Sequence, residues 1–456
     1  MKRCTRLWLG IVLVLSCACA WSQNDAGSTD NAPPAQPGPT PAFTYPDASP
    51  TMDFLNEATE NSSITLGAAT GFSYYSASPQ SDNGTGTDSW LFHVAPLIKI
   101  QQYRSRFSWK ASYSPGYQRY THSGERGAPA NNLFQQRASG QFLWQMSPHW
   151  QMMGENDFSH SANPFDAYLT SPGNPSINNP NPVTYYPLTQ YTLNNAILSL
   201  TDQITKEDTL TFTGTQSLRS TSSSNLLQAP FYNLTSYGGR ASYSHQFSPQ
   251  LSLGAGYDFS SLDFGSGVQR AGISSITMTA VYRFHPNTTI SVWAGPEYVS
   301  TKDTVPTLTP DGIVYLISRS SQWSAIAGAD FGWQSVRNVF HAGFSRQILD
   351  GGGLTATSQV IQVNASYRRM LTSKLDALLG IRYFDVASIT VSNRKFDNVN
   401  FNAGLSYRMT KSLTATADYS YRYQTQSNID RIGTNTYDVN IVGATISYNW
   451  THPLGR

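Results

Sequence analysis

The chain has 456 residues, with 13% charged residues, 12% aromatic residues, a formal net charge of +2 and a mean hydropathy of −0.35. Soluble domains typically carry about 25% charged residues, which sets this chain apart from ordinary cytosolic enzymes. A charge excess of two gives no basic footprint for nucleic acid. No apolar run outside the N-terminus approaches the roughly 18 residues of a spanning helix, which excludes a polytopic helical membrane protein.

Lys2, Arg3 and Arg6 precede the apolar run Leu7 to Leu15, and Ala18-Cys19-Ala20 follows. A positive segment, a short apolar core and an A-x-A site predict a cleaved secretory signal over 1–20. The competing lipoprotein reading, at Cys17 after Val14-Leu15-Ser16, is weakened by Leu15 and by the better A-x-A site downstream. All three cysteines, Cys4, Cys17 and Cys19, lie in this segment, so cleavage after Ala20 leaves neither a disulfide nor a thiolate metal site. Residues 21–60 read as a periplasmic linker. It is Pro-rich (Pro33, Pro34, Pro37, Pro39, Pro41, Pro46 and Pro50) and buries little surface, and Thr51 to Glu60 could form one short helix.

From residue 61 to 450 apolar residues alternate with polar or small ones. In Ser412 to Tyr423 one face is Leu, Ala, Ala, Tyr, Tyr, Tyr and the other Ser, Thr, Thr, Asp, Ser, Arg. Period two marks strands with two different faces. The same holds for Phe107 to Tyr113, Leu251 to Phe259, Ile276 to Phe284, Ile361 to Tyr367, Leu375 to Tyr383, Phe401 to Met409 and Val442 to Trp450. The connections alternate in length. Tight turns are expected near Tyr103-Arg104, Ser147-Pro148, Lys206-Glu207, Ser248-Pro249, Pro286-Asn287, Arg337-Asn338, Ser373-Lys374 and Lys411. Longer segments lie between them: Ser76 to Asp88, Pro115 to Asn132, Ser161 to Gln190, Ser220 to Ser236, Ser261 to Val268, Thr301 to Val314, Asp350 to Gly353, Ser392 to Asp397 and Thr425 to Thr436. Eight short and nine long connections give 18 strands; 16 or 20 follow if one weak strand is misread. The expected fold is all-β, a transmembrane antiparallel up-and-down barrel over 61–450 with a tail at 451–456. In lipid only closure satisfies every backbone group of a sheet.

The apolar face carries aromatic residues near strand ends, such as Phe247, Phe284, Tyr113, Tyr367, Tyr383, Tyr407 and Tyr448, as interfacial girdles do. Packing between two sheets is the alternative. Alternation assigns Arg106, Lys110, Arg137, Glu155, Asp157, Arg219, Arg240, Asp258, Arg283, Glu297, Asp330, Arg368, Asp376, Arg382, Arg408, Asp418 and Arg422 to a polar, inward face. These are the candidate pore-lining residues. Arg or Lys on a lipid face costs about 2–4 kcal/mol near the midplane. The mixed signs fit either a salt-bridged, stiffened wall or a path for hydrophilic solute. The longest loop, Ser161 to Gln190, is Pro- and Asn-rich and carries Phe165, Asp166, Tyr168, Tyr185 and Tyr186. It is a candidate constriction, or a cap over the outer mouth.

The chain has no phosphate loop, no H-E-x-x-H and no G-x-S-x-G elbow, so the expectation is a non-enzyme without cofactor or metal. His93, His122, His149, His160, His245, His285, His341 and His452 are dispersed. His341 near Ser345 is the one pairing to inspect for catalysis, against an ordinary lumen histidine. Gly351-Gly352-Gly353 reads as a loop turn, because no helix follows it.

With this architecture and turns such as Phe247-Ser248-Pro249, residues 61–450 resemble bacterial outer-membrane β-barrel porins, including families linked to exopolysaccharide export. The resemblance implies outer-membrane lipid and the barrel-assembly machinery as partners. It also implies a hydrophilic solute or secreted polysaccharide as cargo, and a periplasmic partner in the export case. Such barrels often end on an aromatic residue; here Tyr448 and Trp450 are followed by six more residues. A non-conducting adhesin or anchoring barrel and an outer-membrane enzyme are the alternatives.

Overall fold

The computed structural model describes residues 62–78, 87–121, 132–161, 190–222, 233–265, 269–309, 312–351, 355–389, 394–428 and 434–454. The expected signal, the linker with its short helix, and all five candidate constriction residues lie outside them.

Eighteen strands follow in chain order. The first six are β1 (Ser63–Ser78), β2 (Thr87–Tyr103), β3 (Phe107–Tyr120), β4 (Asn132–Gln145), β5 (Trp150–Ser161) and β6 (Gln190–Gln203). Next come β7 (Asp208–Ser222), β8 (Leu234–Gln246), β9 (Leu251–Phe264), β10 (Gln269–His285), β11 (Thr288–Thr309) and β12 (Gly312–Gln334). The last six are β13 (Asn338–Gly351), β14 (Thr355–Met370), β15 (Leu375–Ser388), β16 (Arg394–Arg408), β17 (Leu413–Asn428) and β18 (Thr434–Pro453). Each pairs antiparallel with its sequence neighbours, and β1 pairs with β18 from Ser63↔Pro453 to Ser76↔Asn440. The sheet is therefore a closed, up-and-down transmembrane barrel, in which no strand is left as an open edge over its full length. β18 runs past Trp450, so His452 pairs with Ile64 and stacks on Trp450 at 5.6 Å.

All eight tight turns fall where the sequence places them, at one end of the barrel together with Ser63 and Pro453. Most share one local device. A Ser or Thr hydroxyl accepts the backbone N–H groups two and three residues on, fixing the bend before a strand restarts. Ser248 does so for Gln250 and Leu251, Thr372 for Lys374 and Leu375, and Thr410 for Ser412 and Leu413. Thr205 does the same for Glu207 and Asp208, and its hydroxyl also donates to the Asp208 carboxylate at 2.6 Å.

The opposite, long-loop end departs from expectation at two connections. Thr301 to Val314 is not a loop: β11 and β12 pair continuously up to Thr309↔Gly312. Thr304, Val305, Thr307 and Ile313 to Ile317 are strand-favouring types, and they outweigh the turn signal of Pro306, Pro310 and Gly312. Pro306 lies above Asp303, the last β11 residue paired with β10, where β11 is an edge strand and proline is tolerated. The next connection back is also shorter than expected, with β9 ending at Phe264 and Gly265 turning through a positive φ of 59°.

The two faces of the wall are distinct. Outward residues at mid-height are apolar and exposed, as with Val94, Ile98, Leu198, Met278, Val292, Ile381, Leu405 and Ile446. Outward aromatics flank them: Phe107, Trp144, Phe247 and Phe284 at the short-turn end, and Trp90, Tyr117, Phe134, Tyr237 and Trp323 at the other. Inward neighbours are joined across strands by hydroxyl contacts, including Ser112–Ser139 at 2.6 Å and Ser199–Thr213 at 3.0 Å. One inward ring is held by a glycine. Trp293 is buried and lies over Gly328 on β12, where an added Cβ would stand 2.0 Å from Trp293 Cζ2. Gly328→Ala is expected to cost about 1–3 kcal/mol through overpacking, read as a lower urea midpoint of the reconstituted barrel.

Candidate functional site

The lumen is the candidate site. The strand registers place sixteen of the seventeen candidate lining residues on one face. Lys110 stands opposite Gln101 and Gln141, and Arg137 opposite Ser114 and Ser159. Glu155 and Asp157 stand opposite Gln141 and Ser139, and Arg283 opposite Thr289. Arg382 lies between Asn364 and Asn400, Arg408 opposite Thr414, Asp418 opposite Gly404, and Arg422 opposite Asn400. Arg106 is the exception. It sits in the turn between β2 and β3, exposed, because β3 begins one residue later at Phe107. Lys99, opposite Thr65 and Ser112, shares the inward face and was not among the expected residues; continuing the parity of Gln101 would have found it.

Opposite charges meet across neighbouring strands. Arg240 lies 3.5 Å from Asp258, and Arg368 lies 3.5 Å from Asp376. His341 Nε2 lies 3.7 Å from Asp330. Ser345 is four residues from His341 on the same face of β13, about 13 Å at 3.3 Å per residue. The geometry therefore does not bring this His/Ser pair together.

Toward the long-loop end the inward face stops being polar, contrary to the sequence expectation. One apolar cluster joins Leu234, Leu262, Phe264, Ala271, Ile273 and Val299 from the inner face of β8 to β11. A second joins Val360, Phe384, Val386 and Phe396 from β14 to β16. Phe264, Val299, Phe384 and Phe396 are at most 1% exposed. Side chains facing an open water column would not be so buried, so the lumen is filled at these residues.

What joins the two clusters is the end of β13. Its ladder with β12 stops at Ala327↔Arg346, while its ladder with β14 continues to Gly351. Beyond Arg346 the strand leaves the wall. Successive residues, whose side chains point to opposite faces of a strand, then reach different clusters: Ile348 packs into the first and Leu349 against the second. The strand end is therefore a partition with apolar packing on both faces.

Leaving a ladder frees backbone groups that must find partners. The Ile348 N–H donates to the Glu297 carboxylate of β11, at 3.3 and 3.2 Å to its two oxygens. On the abandoned β12 edge, Arg346 Nη1 donates to the Ala325 carbonyl at 2.8 Å, and its Nη2 to Gln359 at 2.9 Å. At the tip, Asp350 accepts from Arg219 Nη1 of β7 at 2.9 Å, with both side chains at most 9% exposed. Glu297 and Arg219 are thus not simple lining charges. They latch the partition to β11, two strands away, and to β7, six strands away around the barrel.

No protein-family model matches the chain, and no curated protein matches it. Among solved structures, Pseudomonas aeruginosa OccK2 (OpdF) is 11% identical, covering 87% of this chain and 99% of that one, with a TM-score of 0.42. Pseudomonas aeruginosa OpdK with vanillate is 10% identical over 86% and 99%, TM-score 0.42. Acinetobacter baumannii OccAB4 is 11% identical over 86% and 98%, TM-score 0.41. At these values the likeness is one of general shape, and no residue role is carried over.

Proposed function

We propose that this protein is an outer-membrane pore for hydrophilic solutes, with the short turns in the periplasm and the long loops outside. One observation carries the reading: charge is placed inward at mid-height of a closed barrel whose outward mid-height is apolar. The outward exception, Arg346, sits at the β12–β13 seam with its guanidinium bonded to backbone and Gln359. A wall built only as an anchor has no need of an ionised interior, and 18 strands enclose room for an aqueous lumen. The inward charges line the route below the partition, and solutes pass by diffusion with selectivity set by those charges.

The segment 1–20 acts as the export signal, and the barrel-assembly machinery inserts the sheet into outer-membrane lipid. Phe165, Asp166, Tyr168, Tyr185 and Tyr186 form a second restriction at the mouth. The finer version makes the barrel the exit for a secreted polysaccharide delivered by a periplasmic partner. It is supported by the family resemblance and by the aromatic and amide character of the 161–190 segment.

Liposome swelling tests the reading. Vesicles carrying the barrel should swell slowly in small sugars and faster after deletion of 162–189; no swelling in either case sinks the pore. If oligosaccharides enter no better than monosaccharides after the deletion, the export version fails. Basic residues outnumber acidic ones on the inward face, so anionic solutes should enter faster than cationic ones of equal size. Lys110→Glu with Arg137→Glu should reverse that preference.

A further inference from the structure

We propose that the outward face of β9–β12 at the long-loop end is a binding site for the phosphate of an outer-leaflet glycolipid. The strand registers set Arg270 directly opposite Lys302, and Lys302 directly opposite Arg319. Like charges placed directly opposite on neighbouring strands destabilise a sheet, so a three-cation row persists where something else compensates it. Asp263, on the other side of Arg270, bonds its guanidinium at 2.9 Å. Among the described residues no carboxylate pairs with Lys302 or Arg319, which leaves an excess of two positive charges. A phosphate monoester carries about −1.5 to −2 at neutral pH and three acceptor oxygens.

The row borders a cleft of about 490 Å³, lined also by Ser261, Ser300 and Ser321, whose hydroxyls can donate to the same phosphate. Below it the layers follow the order of a lipid leaflet. A row with the hydroxyls of Ser261, Ser300 and Ser321, interrupted by Gly272, comes first, then the aromatic pair Tyr298 and Trp323 with ring centroids 5.1 Å apart. Trp323 is 73% exposed, and Ile276 and Met278 continue the apolar surface beneath it. The cations stand four residues above the aromatic pair, about 13 Å along the strand, the height of headgroups over acyl chains. A soluble anion needs the cations and hydroxyls alone; the apolar strip directly beneath them selects a ligand with chains.

The test is native mass spectrometry of the purified full-length barrel in detergent. The probes are bis-phosphorylated lipid A, the same lipid dephosphorylated, and inorganic phosphate. Wild type should retain the phosphorylated lipid at least tenfold better than the dephosphorylated one. Lys302→Gln with Arg319→Gln should abolish that difference while keeping the heat-modifiable mobility of a folded barrel. Equal retention of both lipids by wild type overturns the proposal even if the variant does not fold. Unchanged retention by a folded variant overturns it, and so does inorganic phosphate binding as tightly as the lipid.

Discussion

Replacing Arg219 with Met is expected to destabilise the barrel by about 3–5 kcal/mol, the usual effect of removing one partner from a buried ion pair. Asp350 is then left buried at the tip of β13 without its guanidinium. The loss should appear as a lower urea midpoint and a lower temperature of heat-modifiable migration. Arg219→Met combined with Asp350→Leu should recover most of it, because two apolar side chains of similar size leave no charge to desolvate. If the single and double variants lose equally, the pair is not what holds the strand end. Glu297→Ala should act at the other anchor, costing about 1–3 kcal/mol by leaving the Ile348 N–H without its acceptor.

A second large effect separates the two faces of the wall. Ala138 and Ser139 are adjacent on β4, yet Ala138 stands opposite Tyr113 and Phe158, while Ser139 stands opposite Ser112 and Asp157. Ala138→Arg puts a cation into lipid near mid-strand and should cost about 2–4 kcal/mol. Ser139→Arg puts the same cation beside Asp157 and should change stability by less than about 1 kcal/mol. Refolding into lipid vesicles under urea titration reads both. Equal losses would mean that the alternation does not separate lipid from lumen.

Much of this wall is legible in the sequence. Period-two alternation and the regular exchange of short and long connections are local properties, so strand number, both ends and all eight tight turns follow from them. The turn device was within reach as well: Ser248, Thr372 and Thr410 each stand three residues before a leucine that restarts a strand. The upper lumen was harder. Phe384 and Val386 share the parity of Arg382, and Val299 shares that of Glu297, so the inward row could have been followed from charged to apolar residues. Such residues look like any lipid-facing residue until the parity is traced through a neighbouring charge. The departure of β13 was not legible. Nothing local to Arg346, Ile348 or Asp350 announces that the ladder to β12 stops there. Its cause is the fit of that strand end to Glu297 and Arg219, which lie 51 and 131 residues away.

The central claim, a polar pore closed from within by its own wall strand, is tested most directly by single-channel current in planar bilayers. Wild type and Arg219→Met would be recorded side by side under the same salt and voltage. The latched partition predicts small, brief openings in wild type and a larger, sustained current in a folded Arg219→Met barrel. A large steady current through wild type, or no change on removing Arg219, would contradict it.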